Sequence, residues 1–239
     1  VEILQGKFKG KTVQGTNRLS GSLEQDKMFA VDDKILITLD YTGDEIRAAT
    51  LVDHYRINYE ILLAGIFVVV LVGFSGIVGI KAILSFIFTI LAMWKILIPL
   101  FLQGYNPVII GMVTTVILTC LIIGLVYGID RKSLAGIIGA LAGSVVTCFM
   151  ALFFVNRFKI HGAVMSYSET LLYSGYENLN LTEIFIASIF IASSGAVMDV
   201  AVDITSAVTE LIEKKPDITK LEAVKSGINI GRSIMGTMM

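Results

Sequence analysis

The chain has 239 residues, of which 55% are hydrophobic and only 16% are charged, and its mean hydropathy is +0.79. Soluble domains carry about 25% charged residues, so this composition excludes an ordinary soluble globule and favours a protein embedded in a lipid bilayer. The 19 basic and 20 acidic residues leave a formal charge of -1; because no stretch is strongly basic, nucleic acid is excluded as the expected partner.

Residues 1–58 are predicted to form a small N-terminal all-β domain, because charges concentrate there and glycines interrupt short alternating runs. The clearest strand is Lys34–Leu39, and Tyr41–Asp44 has the composition of a hairpin turn that leads into Ile46–Val52. Fewer than about 60 residues bury little core. We therefore expect a compact, barrel-like domain that depends on the rest of the protein or on a partner for its stability.

Residues 59–239 are predicted to form the membrane domain. A hydrocarbon layer of about 30 Å requires about 20 apolar residues in an α-helix. Five stretches satisfy this requirement, at about 61–80, 82–102, 107–129, 134–155 and 184–204. The predicted fold is therefore an α-helical polytopic membrane bundle that follows the β domain.

The helix of the fifth span is expected to continue as far as Lys214, where Lys215 and Pro216 follow and stop it. Thr219–Glu222 then has the spacing of a capping box, which predicts an amphipathic helix and the start of a sixth span over 218–239. The sequence has no initiator Met or signal peptide and stops inside this apolar pattern. We expect it to be a fragment with a truncated sixth span.

Basic residues beside the spans predict the orientation of the protein, because cytoplasmic loops carry an excess of Lys and Arg. If the β domain lies outside, the inner side holds six of them: Lys81, Arg131, Lys132, Lys214, Lys215 and Lys220. The outer side then holds four: Arg47, Arg56, Arg157 and Lys159. This bias predicts a multi-pass protein of the cell membrane with an extracytoplasmic N-terminal domain.

The fifth span carries the most informative pattern of the sequence. Asp199 and Asp203 are four residues apart, so a helix places them one above the other. Further steps of three and four residues reach Ser206 and Glu210, and the same stripe runs backwards through small residues, Gly195, Ala192 and Ser188. Such small residues allow another helix or a water-filled gap to approach closely. We therefore expect Asp199, Asp203, Ser206 and Glu210 to line a site, with Gly195 supporting it.

An Asp near the centre of a membrane helix costs about 2.5–3.5 kcal/mol on insertion scales, so such residues mark functional sites by default. Two adjacent carboxylates also repel each other, which favours a shared proton or a bound cation. Proton carriage, monovalent cation coordination and divalent metal binding by Asp199 and Asp203 all remain open. The alternative is structural pairing of both carboxylates with basic groups on other helices. Asn229 and Arg232 of the C-terminal segment could face the carboxylates and support the site, and Arg232 could equally be a positive-inside anchor.

Lys95 is the other charge within a span. At about 1.5 Å per residue, it lies in the outer half of the second span, whereas Asp199 lies in the inner half of the fifth. An offset on the order of 10 Å disfavours a pair between them. We expect Lys95 to extend towards the outer surface beside Trp94.

Two enzyme classes were weighed against this pattern. Gly195, Asp199 and Asp203 resemble the end of the signature of CDP-alcohol phosphatidyltransferases, but the upstream acidic and Ala-Arg positions of that signature are replaced by Thr182, Phe185 and Ile186. The loss of these carboxylates removes the two-metal chemistry. The GxGD-type motif of intramembrane aspartyl proteases is absent as well. We therefore expect no catalytic site and no cofactor.

Four stretches of the chain resemble one known family. They are Ile3–Gly10 (ILQGKFKG), Lys95–Pro99 (KILIP), Gly195–Glu210 (GAVMDVAVDITSAVTE) and Gly227–Met239 (GINIGRSIMGTMM). In this order they resemble the YibE/F family of bacterial membrane proteins, and the last two are the most distinctive. The resemblance implies a multi-span protein with an extracytoplasmic β domain, common in Gram-positive bacteria, and implies no particular reaction. Ser233 departs from the acidic residue that the family implies there, which weakens any role for the C-terminal segment.

These observations predict a transporter or permease subunit with a carboxylate-lined proton or cation site on the fifth span. The alternative is a non-transporting membrane scaffold or sensor whose outer β domain binds a partner. Five spans are few for a complete transporter. The resemblance implies either a homo-oligomer or a complex of YibE-type and YibF-type subunits.

Overall fold

The computed structural model describes residues 1–19, 21 and 26–238. Residues 20 and 22–25, within the predicted β domain, and Met239, the last residue of the C-terminal motif, lie outside this described part. The chain divides into two compact units, Val1–Val70 and Leu71–Met239. The division falls inside the first long helix, so each unit contains part of it.

The N-terminal unit contains a three-stranded sheet of order β1-β3-β2. Strand β1 (Gly15–Thr16) runs parallel to β3 (Glu45–His54), and β2 (Ile35–Thr42) runs antiparallel to it. Gly43 and Asp44 form a two-residue hairpin loop in which Gly43 has φ +64°, a conformation that glycine adopts without strain. The predicted strands and hairpin turn are confirmed, whereas a barrel is not shown.

The sheet is held to the N-terminal segment by an apolar and aromatic contact. Phe8 is buried, and its ring meets the ring of Tyr41 edge to face at a centroid distance of 5.0 Å. Lys7 Nζ lies 5.2 Å from both ring centres and donates a hydrogen bond of 2.8 Å to the Gly43 carbonyl oxygen. The segment before β1 is thereby tied to the hairpin loop.

Within the part of the chain that the structure describes, five helical stretches are long and apolar enough to cross a membrane, which supports a multi-pass membrane protein. They are Ile57–Ser75, Ile77–Leu102, Pro107–Tyr127, Arg131–Arg157 and Leu181–Lys214. The first helix, α1, begins a few residues earlier than the sequence pattern indicated. It also ends earlier, because Gly76 has φ +57° and interrupts the helix there. An unbroken apolar run cannot reveal such a break.

The second stretch has an irregularity around Lys95. It consists of α2 (Ile77–Ala92), one π-helical turn (Met93–Leu97) and α3 (Ile98–Leu102). Pro99 has no backbone N–H with which to bond the Lys95 carbonyl, and the Ile98 N–H donates instead to Met93, five residues back. Pro99 is thus accommodated by a widened turn.

Helices α4 (Pro107–Tyr127), α5 (Arg131–Arg157) and α7 (Leu181–Lys214) form the core of the second unit. Each begins with a side chain that caps its first turn: Asn106, Asp130 and Asn180 accept backbone N–H bonds of 3.0, 2.7 and 3.2 Å. Phe190 of α7 is the largest fully buried side chain and packs against Cys148 of α5. A short helix, α6 (Ser168–Tyr173), lies in the connection between α5 and α7.

Helices α5 and α7 approach each other most closely where α5 carries glycine. A Cβ at Gly143 would lie only 2.5 Å from Val197 Cγ1, and one at Gly139 would lie 3.5 Å from the Ala201 Cβ. This is the packing that GxxxG spacing allows in membrane helices. The glycines of α5 are thus explained by its contact with α7.

The last helix, α8 (Lys220–Met238), begins at the predicted capping box. The Thr219 N–H donates to Glu222 at 3.1 Å, and the Glu222 N–H donates back to the Thr219 hydroxyl at 3.3 Å. Gly227 and Gly231 then bring α8 against Ile204 of α7. Helix α8 is not one of the five apolar stretches, so a sixth span stays a prediction.

Candidate functional site

One face of α7 is exposed along its whole length, and it is the face that the sequence pattern defined. Its exposed members recur at steps of three and four residues: Ser188, Ala192, Ala196, Asp199, Asp203, Ser206 and Glu210. Gly195 beside them is half-buried. The buried residues Ile186, Ala187, Phe190 and Val202 lie on the other side of the helix. We call the four polar members, Asp199, Asp203, Ser206 and Glu210, the acidic face.

The aspartates and the glutamate of the acidic face differ in their partners. Among the described residues, no ion pair involves Asp199 or Asp203, whereas Glu210 is bound to Lys214 at 2.5 Å one turn further on. Lys95 lies 4.7 Å from the ring centre of Trp94, in the arrangement expected for a lysine beside an aromatic residue near the membrane surface. Glu210 is therefore accounted for by a local pair, and Asp199 and Asp203 are not.

The residues expected to support the site lie mostly elsewhere. Asn229 and Arg232 are exposed on α8, which turns a different face, with Ala223, Gly227 and Gly231, towards α7. They form no contact with the aspartates that would replace a counter-ion among the described residues. The structural pairing that the sequence left open is therefore not formed within this part of the chain.

A small cavity of about 90 Å³ adjoins the acidic face, where α4 ends and α5 begins. Tyr127 of α4, Ser133 of α5 and Ser206 of α7 supply hydroxyl groups to its wall, and Thr205 lines it as well. The cavity therefore adjoins the acidic face, because Ser206 belongs to both.

Two charged side chains at the rim of the cavity have partners. Lys132 donates a hydrogen bond of 2.6 Å to Glu213, which joins the start of α5 to the end of α7. Asp130 accepts the backbone N–H of Ser133 at 2.7 Å, and this bond holds the pKa of the Asp130 carboxyl below its usual range. Asp130 is therefore ionised at neutral pH, and the rim carries a negative charge next to a paired lysine.

The described side chains hold no preassembled metal centre. Within residues 1–19, 21 and 26–238, no group of three or more His, Cys, Asp or Glu side chains lies close enough to bind one ion. Asp199 and Asp203 supply two carboxylates, and hydroxyl groups lie nearby. This set suits a proton or a weakly held cation better than a tightly bound transition metal.

Two residues at this end of the bundle were missed by the sequence analysis, Tyr127 and Ser133. Tyr127 was overlooked because it is the last residue of an apolar run. Ser133 was overlooked because it belongs to a helix cap that begins at Asp130. The sequence does signal a helix start there, since Asp130 and Ser133 have the spacing of an N-cap and its third residue. It does not signal that these side chains meet Ser206, which lies more than 70 positions away.

One comparison with known proteins identifies the class of this chain. A family model, described as YibE/F-like protein, matches residues 63–239, which covers the membrane helices and both C-terminal motifs. No curated protein and no solved structure matches the chain. The match extends over well over half of the sequence, and the chain therefore belongs to the YibE/F-like family of proteins.

Proposed function

We propose that this protein is a transporter or permease subunit in which Asp199 and Asp203 bind a proton or a small cation. The observation that carries the proposal is the acidic face of α7, where two carboxylates with no counter-ion among the described residues lie on a membrane-capable helix. An unpaired carboxylate in such a position is costly, so it is retained where it acts on an ion or a proton.

The neighbouring residues support the same role. Ala192 and Ala196 precede Asp199 on the exposed side of α7. Their small side chains leave space beside the helix. Ser206 and Tyr127 add hydroxyl oxygens, which can accept a proton or replace part of the hydration shell of a cation. The oxygen set favours hard cations and protons over soft metals.

The test is proton and cation flux into liposomes that contain the full chain, compared with the variants Asp199→Asn and Asp203→Asn. The control is Asp217→Asn, which makes the same chemical change in the turn between α7 and α8. We expect either aspartate substitution in α7 to abolish flux and the control to leave it unchanged. Unchanged flux in both α7 variants, at equal incorporation, would refute the carboxylate site.

The competing proposal is a non-transporting scaffold or sensor in which the N-terminal unit binds a partner protein. Its support is the separate compact unit formed by Val1–Val70, which has its own sheet and buried residues. A scaffold would show no flux above empty liposomes for any ion tested. It would also retain its partner after both aspartates are replaced.

We propose further that the acidic face is covered in the assembled protein by a second copy of this chain or by a related membrane subunit. Lipid cannot solvate Asp199 and Asp203, so a face that is exposed in the single chain requires a polar neighbour or water. Native mass spectrometry from detergent is expected to show a complex. A single monomeric species would contradict this part of the proposal.

The orientation with the N-terminal unit outside also stays a proposal, which rests on the distribution of Lys and Arg beside the spans. Single cysteines placed in the sheet should react with an impermeant thiol reagent added to intact cells. Reaction only after the cells are opened would reverse the orientation.

A further inference from the structure

Helix α8 has an apolar stripe on its exposed side. The stripe consists of Leu221, Val224, Ile228 and Met235, whose exposed fractions lie between 47% and 66%. Leu221, Ile228 and Met235 recur at steps of seven residues, and Val224 lies four residues before Ile228, so a helix places all four on one side. Large apolar side chains on one side of an otherwise polar helix are typical of helices that lie in a membrane surface.

The contact between α8 and α7 lies near the end of the fifth span. A Cβ at Gly227 would lie 3.0 Å from Val208 Cγ2, and one at Gly231 would lie 2.9 Å from Ile204 Cδ1. The apolar run of α7 ends at about residue 204, whereas its helix continues to Lys214, so roughly 15 Å of helix extends beyond the hydrocarbon layer. Both contacts therefore lie where α7 passes from the hydrocarbon into the head-group region.

Basic side chains border the apolar stripe. Lys225 and Arg232 each follow a member of the stripe by four residues, and Lys220 precedes it at the start of α8. All three are exposed, and none forms an ion pair among the described residues. Glu222 of α8 is engaged in the capping box with Thr219. Long basic side chains at the edge of an apolar stripe can extend to the phosphate groups of anionic lipids.

We propose that α8 lies along the membrane surface, where its apolar stripe inserts below the head groups and its basic residues bind anionic phospholipids. Asn229 and Ser233, which are exposed on another side of the helix, then face water. A spanning helix would instead carry Arg232 into the hydrocarbon, which is costly. This contact with lipid would form whether or not Asp199 and Asp203 bind an ion.

The test measures the depth of single nitroxide labels in the full chain, in a background in which Cys120 and Cys148 are replaced by Ala. The labelled variants are Leu221→Cys, Ile228→Cys and Met235→Cys, with Asn229→Cys on the polar side as the matched control. The vesicles contain either phosphatidylcholine alone or phosphatidylcholine with about one third phosphatidylglycerol. Oxygen, which partitions into lipid, and a water-soluble nickel complex report the surroundings of each label.

We expect the labels at positions 221, 228 and 235 to share one shallow depth, about 5–10 Å below the head groups. Oxygen should reach them severalfold more readily than it reaches position 229, and the nickel complex should show the opposite preference. A sixth span would instead place position 235 about 21 Å deeper than position 221, at about 1.5 Å per residue.

The basic residues should make this depth depend on anionic lipid. Phosphatidylglycerol should lower the access of the nickel complex to position 228 severalfold, because the basic side chains are drawn to its head groups. The difference should disappear in the triple variant Lys220→Gln, Lys225→Gln and Arg232→Gln. It should persist in a control that removes three charges from the N-terminal unit, Lys9→Gln, Arg18→Gln and Lys34→Gln.

Four results would overturn the proposal. A depth that increases steadily from position 221 to position 235 would make α8 the start of a sixth span. Labels shielded from both oxygen and the nickel complex would show that a second protein chain covers the stripe, and nickel access at every position would place α8 in water. Equal access in both kinds of vesicle would remove the role of anionic lipid. None of these results depends on ion flux, so they leave the proposed cation site to its own test.

Discussion

The two sides of α7 differ in what they contribute to the protein. The side towards α5 is closely packed: Val197 and Ala201 fit against glycines of α5, and Phe190 is only 1% exposed. The acidic face carries charged and small residues, is exposed, and has no ion pair at Asp199 or Asp203 within the described residues. In a bilayer, association of helices depends on such packing and not on hydrophobic burial. One face of α7 therefore builds the bundle, and the other is exposed.

Among the substitutions that test this contrast, Phe190→Ala is expected to lower the unfolding free energy most. Phe190 is fully buried among Cys148, Ala187 and their neighbours, so its removal leaves a cavity that costs about 3–5 kcal/mol of unfolding free energy. Thermal or denaturant unfolding in detergent measures the change. The matched control is Phe149→Ala, which removes the same side chain from a position on α5 that is 68% exposed. A similar loss in both variants would show that the buried side of α7 is not the stabilising one.

A smaller effect is expected from Gly143→Ala. The new Cβ would lie 2.5 Å from Val197 Cγ1, which forces α5 and α7 apart at a cost of about 1–3 kcal/mol. The control is Gly124→Ala on α4, where the nearest atom, Ile129 Cγ1, is 4.0 Å away. Without a clash, alanine should be neutral or should stabilise that helix by up to about 1 kcal/mol. The same unfolding assay distinguishes the two, and equal effects would contradict the close packing.

Substitutions in the acidic face should not lower the unfolding free energy, unlike substitutions on the side of α7 that faces α5. Asp199→Asn and Asp203→Asn remove charges that have no counter-ion, so the unfolding free energy should stay the same or increase by up to about 2 kcal/mol. Measured beside Phe190→Ala in the same assay, this separates a functional face from a structural one. A loss of stability of the size seen for Phe190→Ala would reveal a structural partner for the aspartates and refute the contrast.

The smallest expected effect is a loss of stability at acid pH, caused by the titration of Asp130 at the start of α5. The hydrogen bond from the Ser133 N–H lowers the pKa of Asp130 below its ordinary value of 3.8. The contribution of the ionised cap to stability is therefore complete above pH 3.8 and is lost as the pH falls through the lowered pKa. Asp130→Asn keeps the cap and cannot titrate. Unfolding midpoints measured across this range should decrease for the wild type more than for Asp130→Asn. Parallel curves would contradict the role of the ionised cap.

Much of the architecture could be predicted because it depends on local pattern. Charge-free runs of about 20 residues identify membrane helices, and a period of three and four residues groups Asp199, Asp203, Ser206 and Glu210 on one face whatever surrounds them. The hairpin loop at Gly43 and the capping box at Thr219 are likewise determined within four residues. The break at Gly76 was missed because any of several glycines in that run could adopt positive φ.

The sequence by itself determined which residues of α7 share a face, since helical periodicity is a property of the chain alone. Only the tertiary structure decided what each face meets. It placed the glycines of α5 against Val197 and Ala201, gave Asp199 and Asp203 no counter-ion within the described part of the chain, and brought Tyr127 and Ser133 beside Ser206. Those contacts join helices that are far apart in the sequence, and they depend on how side chains of different helices fit together, which no local pattern encodes.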